Sequence, residues 1–156
     1  MSTAPAWILL GLLALMLVAA CWCDLRSRTI PNELNVAIAL FAIPFWWSTG
    51  LAPWPDAALQ VAVALLVFAL FAGAFAIGAM GGGDVKLVSA VALWLPWQAV
   101  VTLLLIMSLA GGALTLALIL RKRLARSDGR LEIPYGVAIA FGGLWLIGQR
   151  FLYQFG

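Results

Sequence analysis

Five long stretches of this chain carry no Asp, Glu, Lys or Arg. They are 1–23, 34–55, 57–83, 87–120 and 133–149. A helix needs about 20 apolar residues to cross the hydrocarbon core of a bilayer. Soluble domains carry about 25% charged residues, whereas this chain of 156 residues carries 10% and is 65% hydrophobic. The charge-free stretches therefore predict an all-α integral membrane protein.

The stretch 87–120 is too long for one crossing, because a helix of this length extends roughly 51 Å. Proline breaks helices and tryptophan favours the membrane interface, so the Trp94-Leu95-Pro96-Trp97 sequence marks the break. Division at Pro96 predicts six spans in a single domain that covers 1–156. The spans are about 6–23, 34–49, 57–79, 85–95, 98–120 and 134–150.

The basic residues fall unevenly on the two sides of this arrangement. The segments 24–33, 80–86 and 121–133 share one side, and Arg150 lies on the other. The first side holds Arg26, Arg28, Lys86, Arg121, Lys122, Arg123, Arg126 and Arg130. Lys and Arg concentrate in cytoplasmic loops. We therefore expect these three segments to face the cytoplasm and both termini to lie outside it.

The absence of histidine narrows the possible chemistry. It removes His-ligated zinc and the Ser-His and Cys-His catalytic pairs. Cys21 and Cys23 lie in an apolar stretch at a spacing that points them to different faces of a helix. We interpret both as apolar filler, and we expect neither a metal nor a cofactor.

Two carboxylates stand out among the six in the chain. Asp24 directly follows the first apolar stretch, and Asp84 follows the glycine triplet 81–83 at the start of the short fourth span. Ionisable residues at membrane depth are costly and mark functional sites. The predicted topology places both on one side at similar depth, where two close carboxylates share a proton and titrate together.

Such a pair can activate water and protonate a leaving amine. We therefore predict that Asp24 and Asp84 are the catalytic pair of an aspartyl protease. The glycine triplet 81–83 has two interpretations. It either lets an extended substrate backbone approach closely or forms a flexible turn between helices.

Three segments resemble motifs of the type IV prepilin peptidases. Residues 81–84, GGGD, resemble the G-x-G-D motif of intramembrane aspartyl proteases. Residues 24–32, DLRSRTIPN, resemble the D-x5-I-P-N signature of this family. Residues 133–139, IPYGVAI, resemble the P-Y-G-x-A-I segment that opens its last helix. The resemblance covers essentially the whole chain.

The resemblance implies a six-span endopeptidase that removes the leader of type IV prepilins. Cleavage would occur at the cytoplasmic face of the bacterial cytoplasmic membrane, with a prepilin and the bilayer as partners and no nucleic acid. It implies catalytic roles for Asp24 and Asp84. The supporting residues would be Gly81, Gly83, Pro31, Asn32 and Lys86.

The supporting residues have simpler roles than the carboxylates. Pro31 and Asn32 would shape their loop rather than take part in the chemistry. Lys86 is either an interfacial anchor or a positive charge that favours the ionised form of Asp84.

One difference from the family's pattern indicates which branch of the family this chain resembles. Long bacterial members carry a cysteine-containing cytoplasmic loop between their first two spans, whereas 24–33 is short and holds no cysteine. The chain therefore resembles the short branch, which serves Tad/Flp-type pili.

The long members also methylate the new N-terminus, and the methyl donor S-adenosylmethionine needs a pocket with several well-placed polar groups. The short cytoplasmic segments offer little room for one, so we expect cleavage without N-methylation.

Three alternatives stay open from the sequence. Archaeal preflagellin peptidases share G-x-G-D and six spans, although the I-P-N element at 30–32 favours the bacterial short branch. A small proton-linked transporter subunit would use the two aspartates as ion ligands, which usually lie near the bilayer midplane. In a structural subunit the aspartates would pair with nearby Arg or Lys side chains.

Overall fold

The computed structural model describes residues 4–125 and 133–155, and six α-helices account for most of them. A short π-helical turn, Pro53–Ala57, precedes the third helix. The helices are α1 Ala4–Ser27, α2 Asn32–Thr49, α3 Ala58–Ala76, α4 Gly82–Ala92, α5 Trp97–Ala125 and α6 Tyr135–Phe155. The predicted all-α architecture and helix count are confirmed.

The predicted break at Pro96 is also confirmed, because α4 ends at Ala92 and α5 begins at Trp97. Several helix ends differ from the approximate span limits, since α1 ends at Ser27 rather than at 23 and α6 at Phe155 rather than at 150. The fifth helix was expected to end near 120 but continues to Ala125, so 121–125 is helical rather than loop. The rest of that basic segment, 126–132, lies outside the described residues.

The fourth helix begins at Gly82 rather than at 85, with Gly81 in extended conformation (φ −74°, ψ 145°) as its N-cap. Glycine is a poor helix former, so its intrinsic propensity favours a later start. Contacts made by the surrounding helices override that propensity here. Gly82 and Gly83 therefore form the first turn of α4 and not a loose connection.

The helices are suited to a lipid environment. Within the described part of the chain, three helical segments are long and apolar enough to cross a membrane, namely Ala4–Ser27, Pro53–Ala76 and Trp97–Arg121. Large apolar side chains point outward along α3, where Leu65 is 63% and Leu66 is 70% exposed. These features are those of a multi-pass membrane protein. The 11 residues of α4 rise only about 17 Å and cannot cross unaided.

The core forms where α1 and α5 pack on α6. The buried face of α1 recurs every three or four residues, as a helix buried on one side requires. Its members include Ala6, Leu10, Leu13, Leu17, Ala20 and Asp24. Glycines on α6 allow close packing: a Cβ at Gly143 would lie 2.7 Å from Leu17 Cδ1, and one at Gly142 would lie 2.9 Å from Leu103 Cδ1. Small residues play this part widely between membrane helices.

Two indole groups hold α2 against the break between α4 and α5. The Trp94 indole N–H donates to the carbonyl oxygen of Ile38 at 2.8 Å, and that of Trp46 donates to Leu93 at 2.8 Å. Trp94 is 1% exposed, whereas Trp97 remains half-exposed. Trp94 is therefore packed against protein rather than exposed on the surface of the bundle. Its indole donor needs a partner in an apolar interior, and the Ile38 carbonyl supplies one.

The polar segments gather at opposite ends of the bundle. Side-chain hydrogen bonds join Asp24 to Val137 and Asn35 to Gly83 at one end. At the other end a cavity of about 530 Å³ is lined by residues from four parts of the chain, including Gly50, Asp56, Pro96 and Arg150. The segments 24–33 and 80–86 thus meet at one end, away from Arg150.

The contact between α1 and α6 can be tested with a pair of glycine variants. Gly143→Val should drive a branched side chain into Leu17 and lower the midpoint of thermal unfolding by roughly 3–10 °C. Gly148→Val places the same side chain on the same helix, where a Cβ has nothing within 4 Å. Thermal unfolding in detergent micelles compares the two. Equal losses would show that Gly143 is not a close-packing position.

Candidate active site

The buried faces of α1 and α4 both carry an aspartate at the same end of the bundle. Asp24 is the last member of the buried face of α1 and is 4% exposed. Asp84 lies in the first turn of α4, is 8% exposed, and shares its face with Leu87 and Val91. The two carboxyls are close enough for the charge of Asp24 to act on Asp84. The structure therefore brings the two predicted catalytic residues together.

The N-terminus of α6 packs against the two carboxyls, and α6 is the third helix that forms the site. The Val137 backbone N–H donates to Asp24 Oδ2 at 3.2 Å. The Gly136 backbone N–H lies close to both the Asp24 and the Asp84 carboxyl. The Val137 N–H is shared with the Pro134 carbonyl oxygen, which also lies 3.2 Å away. N–H groups at a helix N-terminus, with the helix dipole behind them, favour a negative charge. Sequence reasoning placed Gly136 in a motif but missed its contact with the pair.

Gly81 and Asp84 contact each other at the start of α4. Asp84 is the third residue after the N-cap, and its backbone N–H donates to the Gly81 carbonyl oxygen at 3.1 Å. Its carboxyl lies beside the Gly81 backbone N–H, where the acidic partner of a capping box lies. A Cβ at Gly81 would lie 2.9 Å from Asp84 Oδ2. A residue with a side chain at 81 would thus push the carboxyl out of place.

Ile30 fills the space between the starts of α4 and α6. It is buried, and a Cβ at Gly83 would lie 3.3 Å from Ile30 Cβ. A Cβ at Gly136 would lie 2.8 Å from both Ile30 Cδ1 and Asp24 Oδ2. The space beside these glycines is thus occupied by the protein's own atoms. The glycines serve internal packing, and neither a loose turn nor a substrate backbone is needed to explain them.

The remaining supporting residues link α2 to α4. The Lys86 ammonium donates to Asn32 Oδ1 at 2.7 Å. Pro31 lies just before α2, is exposed, and adopts an extended backbone (φ −57°, ψ 139°). Asn32 and Lys86 thus form a polar link between the two helices at the end where the carboxyls lie.

Asn35 is a polar residue of this region that the sequence did not single out. Its side-chain amide donates to the Gly83 carbonyl oxygen at 3.3 Å, and the residue is 4% exposed. An asparagine inside a predicted span was the available signal, because buried amides need partners and mark specific contacts.

The protonation of the pair follows from the closeness of the two carboxyls. Two neighbouring carboxyls in an apolar interior do not both ionise easily, so the pair holds one proton between them. One protonated and one ionised carboxyl is the state in which an aspartyl pair can act as acid and base together.

Fold and site together define an all-helical membrane protein with a buried aspartate pair. The sequence profile of the Type IV leader peptidase family matches residues 11–116. The chain therefore belongs to the type IV leader peptidase family.

Curated relatives agree with this assignment. A prepilin leader peptidase/N-methyltransferase of Aeromonas salmonicida (strain A449) is 32% identical over 152 residues, which is 94% of this chain and 51% of the relative. Those of Pectobacterium carotovorum subsp. carotovorum and Dickeya chrysanthemi are 31% and 30% identical, over 93% and 89% of this chain and 51% and 50% of theirs. The chain spans about half the length of these relatives. No solved structure matches it.

The proton shared by the pair can be detected without a substrate. Because two close carboxyls hold one proton between them, the infrared spectrum of the purified protein should contain a carboxylic acid C=O stretch near neutral pH. It should disappear in Asp84→Asn and persist in Asp56→Asn, which alters an exposed residue. A spectrum unchanged by Asp84→Asn would contradict the assignment.

Proposed function

We propose that this chain is an aspartic endopeptidase that removes the leader peptide of type IV prepilins. The observation that carries the proposal is the meeting of the Asp24 and Asp84 carboxyls, from α1 and α4, at the N-terminus of α6. Family membership gives the class of reaction, and the relatives described above are named prepilin leader peptidases.

The two carboxyls take different parts in the proposed reaction. Asp24, which accepts the Val137 N–H, acts as the base that removes a proton from the attacking water. Asp84 holds the shared proton and gives it to the leaving amine. The Val137 N–H, which bonds Asp24, and the neighbouring Gly136 N–H hold the two carboxyls in position.

The proposed site faces the cytoplasm in the bacterial cytoplasmic membrane. Support comes from the concentration of Lys and Arg in the segments that flank it. A prepilin would enter with its leader in water and its following apolar helix in lipid. The short connection between α1 and α2 supports a Tad/Flp-type prepilin as substrate and cleavage without N-methylation.

Loss of either carboxyl should abolish cleavage. Asparagine is nearly isosteric but cannot carry the shared proton, so Asp24→Asn and Asp84→Asn should accumulate in the membrane and leave prepilin uncut, a loss of at least about 1,000-fold. Asp56→Asn, at the opposite end, should cleave normally. Mass spectrometry of co-expressed pilin reads the cut and would also reveal an added methyl group. Substantial cleavage by either site variant would refute the paired mechanism.

The orientation of the chain has a separate test. A reporter active only in the cytoplasm should be active when fused after Arg123, and inactive when fused after Gly50 at the other end of the bundle. The expected asymmetry follows from the basic residues at the site end. The reverse pattern would place the carboxyl pair on the extracytoplasmic side and exclude a cytoplasmic cleavage site.

A further inference from the structure

A lipid-facing groove runs between α2 and α3. Both helices pack against α4, which forms the floor between them. The groove encloses about 590 Å³ and is lined by apolar side chains such as Ile43, Leu65, Phe68 and Ala90. Asn32, Asn35 and Lys86 lie at one end of it. The groove is thus apolar along most of its length and polar at the end formed by Asn32, Asn35 and Lys86, which we call its polar head.

The polar head contains an unused hydrogen-bond acceptor. Asn35 donates through its amide nitrogen to the Gly83 carbonyl oxygen. Its other polar atom, Oδ1, is buried and has no hydrogen-bond partner within the residues that the structure describes. A buried acceptor without a partner costs about 1–3 kcal/mol. Such an atom beside an open groove points to a ligand that brings a donor.

We propose that this groove receives the apolar helix of the substrate, and that Asn35 Oδ1 accepts a backbone N–H from the first turn of that helix. This inference rests on the proposed function. The first four N–H groups of any helix lack partners within the helix. A protein acceptor beside the groove can supply one of the partners that these N–H groups lose when they leave water. The unpaired acceptor and the unpaired donors are therefore complementary.

Other occupants lack this complementarity. A lipid acyl chain could fill the apolar length but has no donor for Asn35 Oδ1. The middle of a transmembrane helix, such as one from a second copy of this chain, has its N–H groups already paired. A helix that begins at the level of Asn35 meets both requirements, because its apolar side chains match the groove and its first N–H groups match the acceptor.

The groove is continuous with the carboxyl pair. Asn35 is bonded to Gly83, and Gly83 directly precedes Asp84. A chain whose helix begins at Asn35 would continue past the start of α4 in extended form. Its peptide bonds would then lie beside Asp84 and Asp24, so the position of the helix start would determine which bond is cut.

Photo-cross-linking tests the occupant directly. A photoreactive phenylalanine at Leu65, which lines the groove, should cross-link to co-expressed prepilin in the uncleaving Asp84→Asn background. The same group at Leu66 is its matched control, since Leu66 is equally lipid-facing but outside the groove. Cross-links to lipid or to a second copy alone, or equal yields at both positions, would overturn the proposal.

Kinetics test the contact with Asn35. Loss of one hydrogen bond should raise KM by about 2- to 10-fold in Asn35→Leu, with a smaller change in kcat. Leu65→Trp should raise KM by obstructing the groove, whereas Leu66→Trp should not. If the native chain cleaves prepilin and Leu65→Trp behaves like Leu66→Trp, the groove proposal alone fails. If the native chain does not cleave any prepilin, the proposed function fails first.

Discussion

The contact between the two aspartates and the first amides of α6 is the constraint on which the rest of this site depends. Carboxyls in an apolar bundle are costly unless hydrogen bonds replace the water they lose. The Val137 N–H supplies such a bond to Asp24 on α1, and the Gly136 N–H at the same helix end lies close to the carboxyls of α1 and α4. Three helices must therefore meet at one point, which fixes their relative positions.

The small residues around this point follow from the same requirement. The helix start can reach the Asp24 carboxyl only because position 136 has no Cβ, and Gly81 allows Asp84 to fold back onto its own helix. Ile30 then seals the space between the two helix starts. A motif that looks in sequence like a flexible, permissive loop is in the structure a tightly packed support for two carboxyls.

The shortness of α4 connects the site to recognition. Because α4 ends at Ala92 and its last turn is held to α2 by Trp46 and Trp94, its first turn lies within the depth of the bundle. That turn carries Asp84 on one face. The opposite face forms the floor of the groove that begins at Asn35. One short helix thus couples the proposed binding of an apolar helix to the chemistry at its end.

The sequence by itself determined six helices, the break at Pro96 and the two aspartates, because apolar length, proline and isolated charges are local signals. It placed helix limits only approximately, and the structure begins α4 at Gly82 and ends α5 at Ala125. Only the tertiary structure decided the roles of Gly136, Val137 and Asn35. The bond from Val137 to Asp24 joins residues 113 apart. No periodicity records such a contact, because its energy depends on how separate helices pack and not on the residues beside it in the chain.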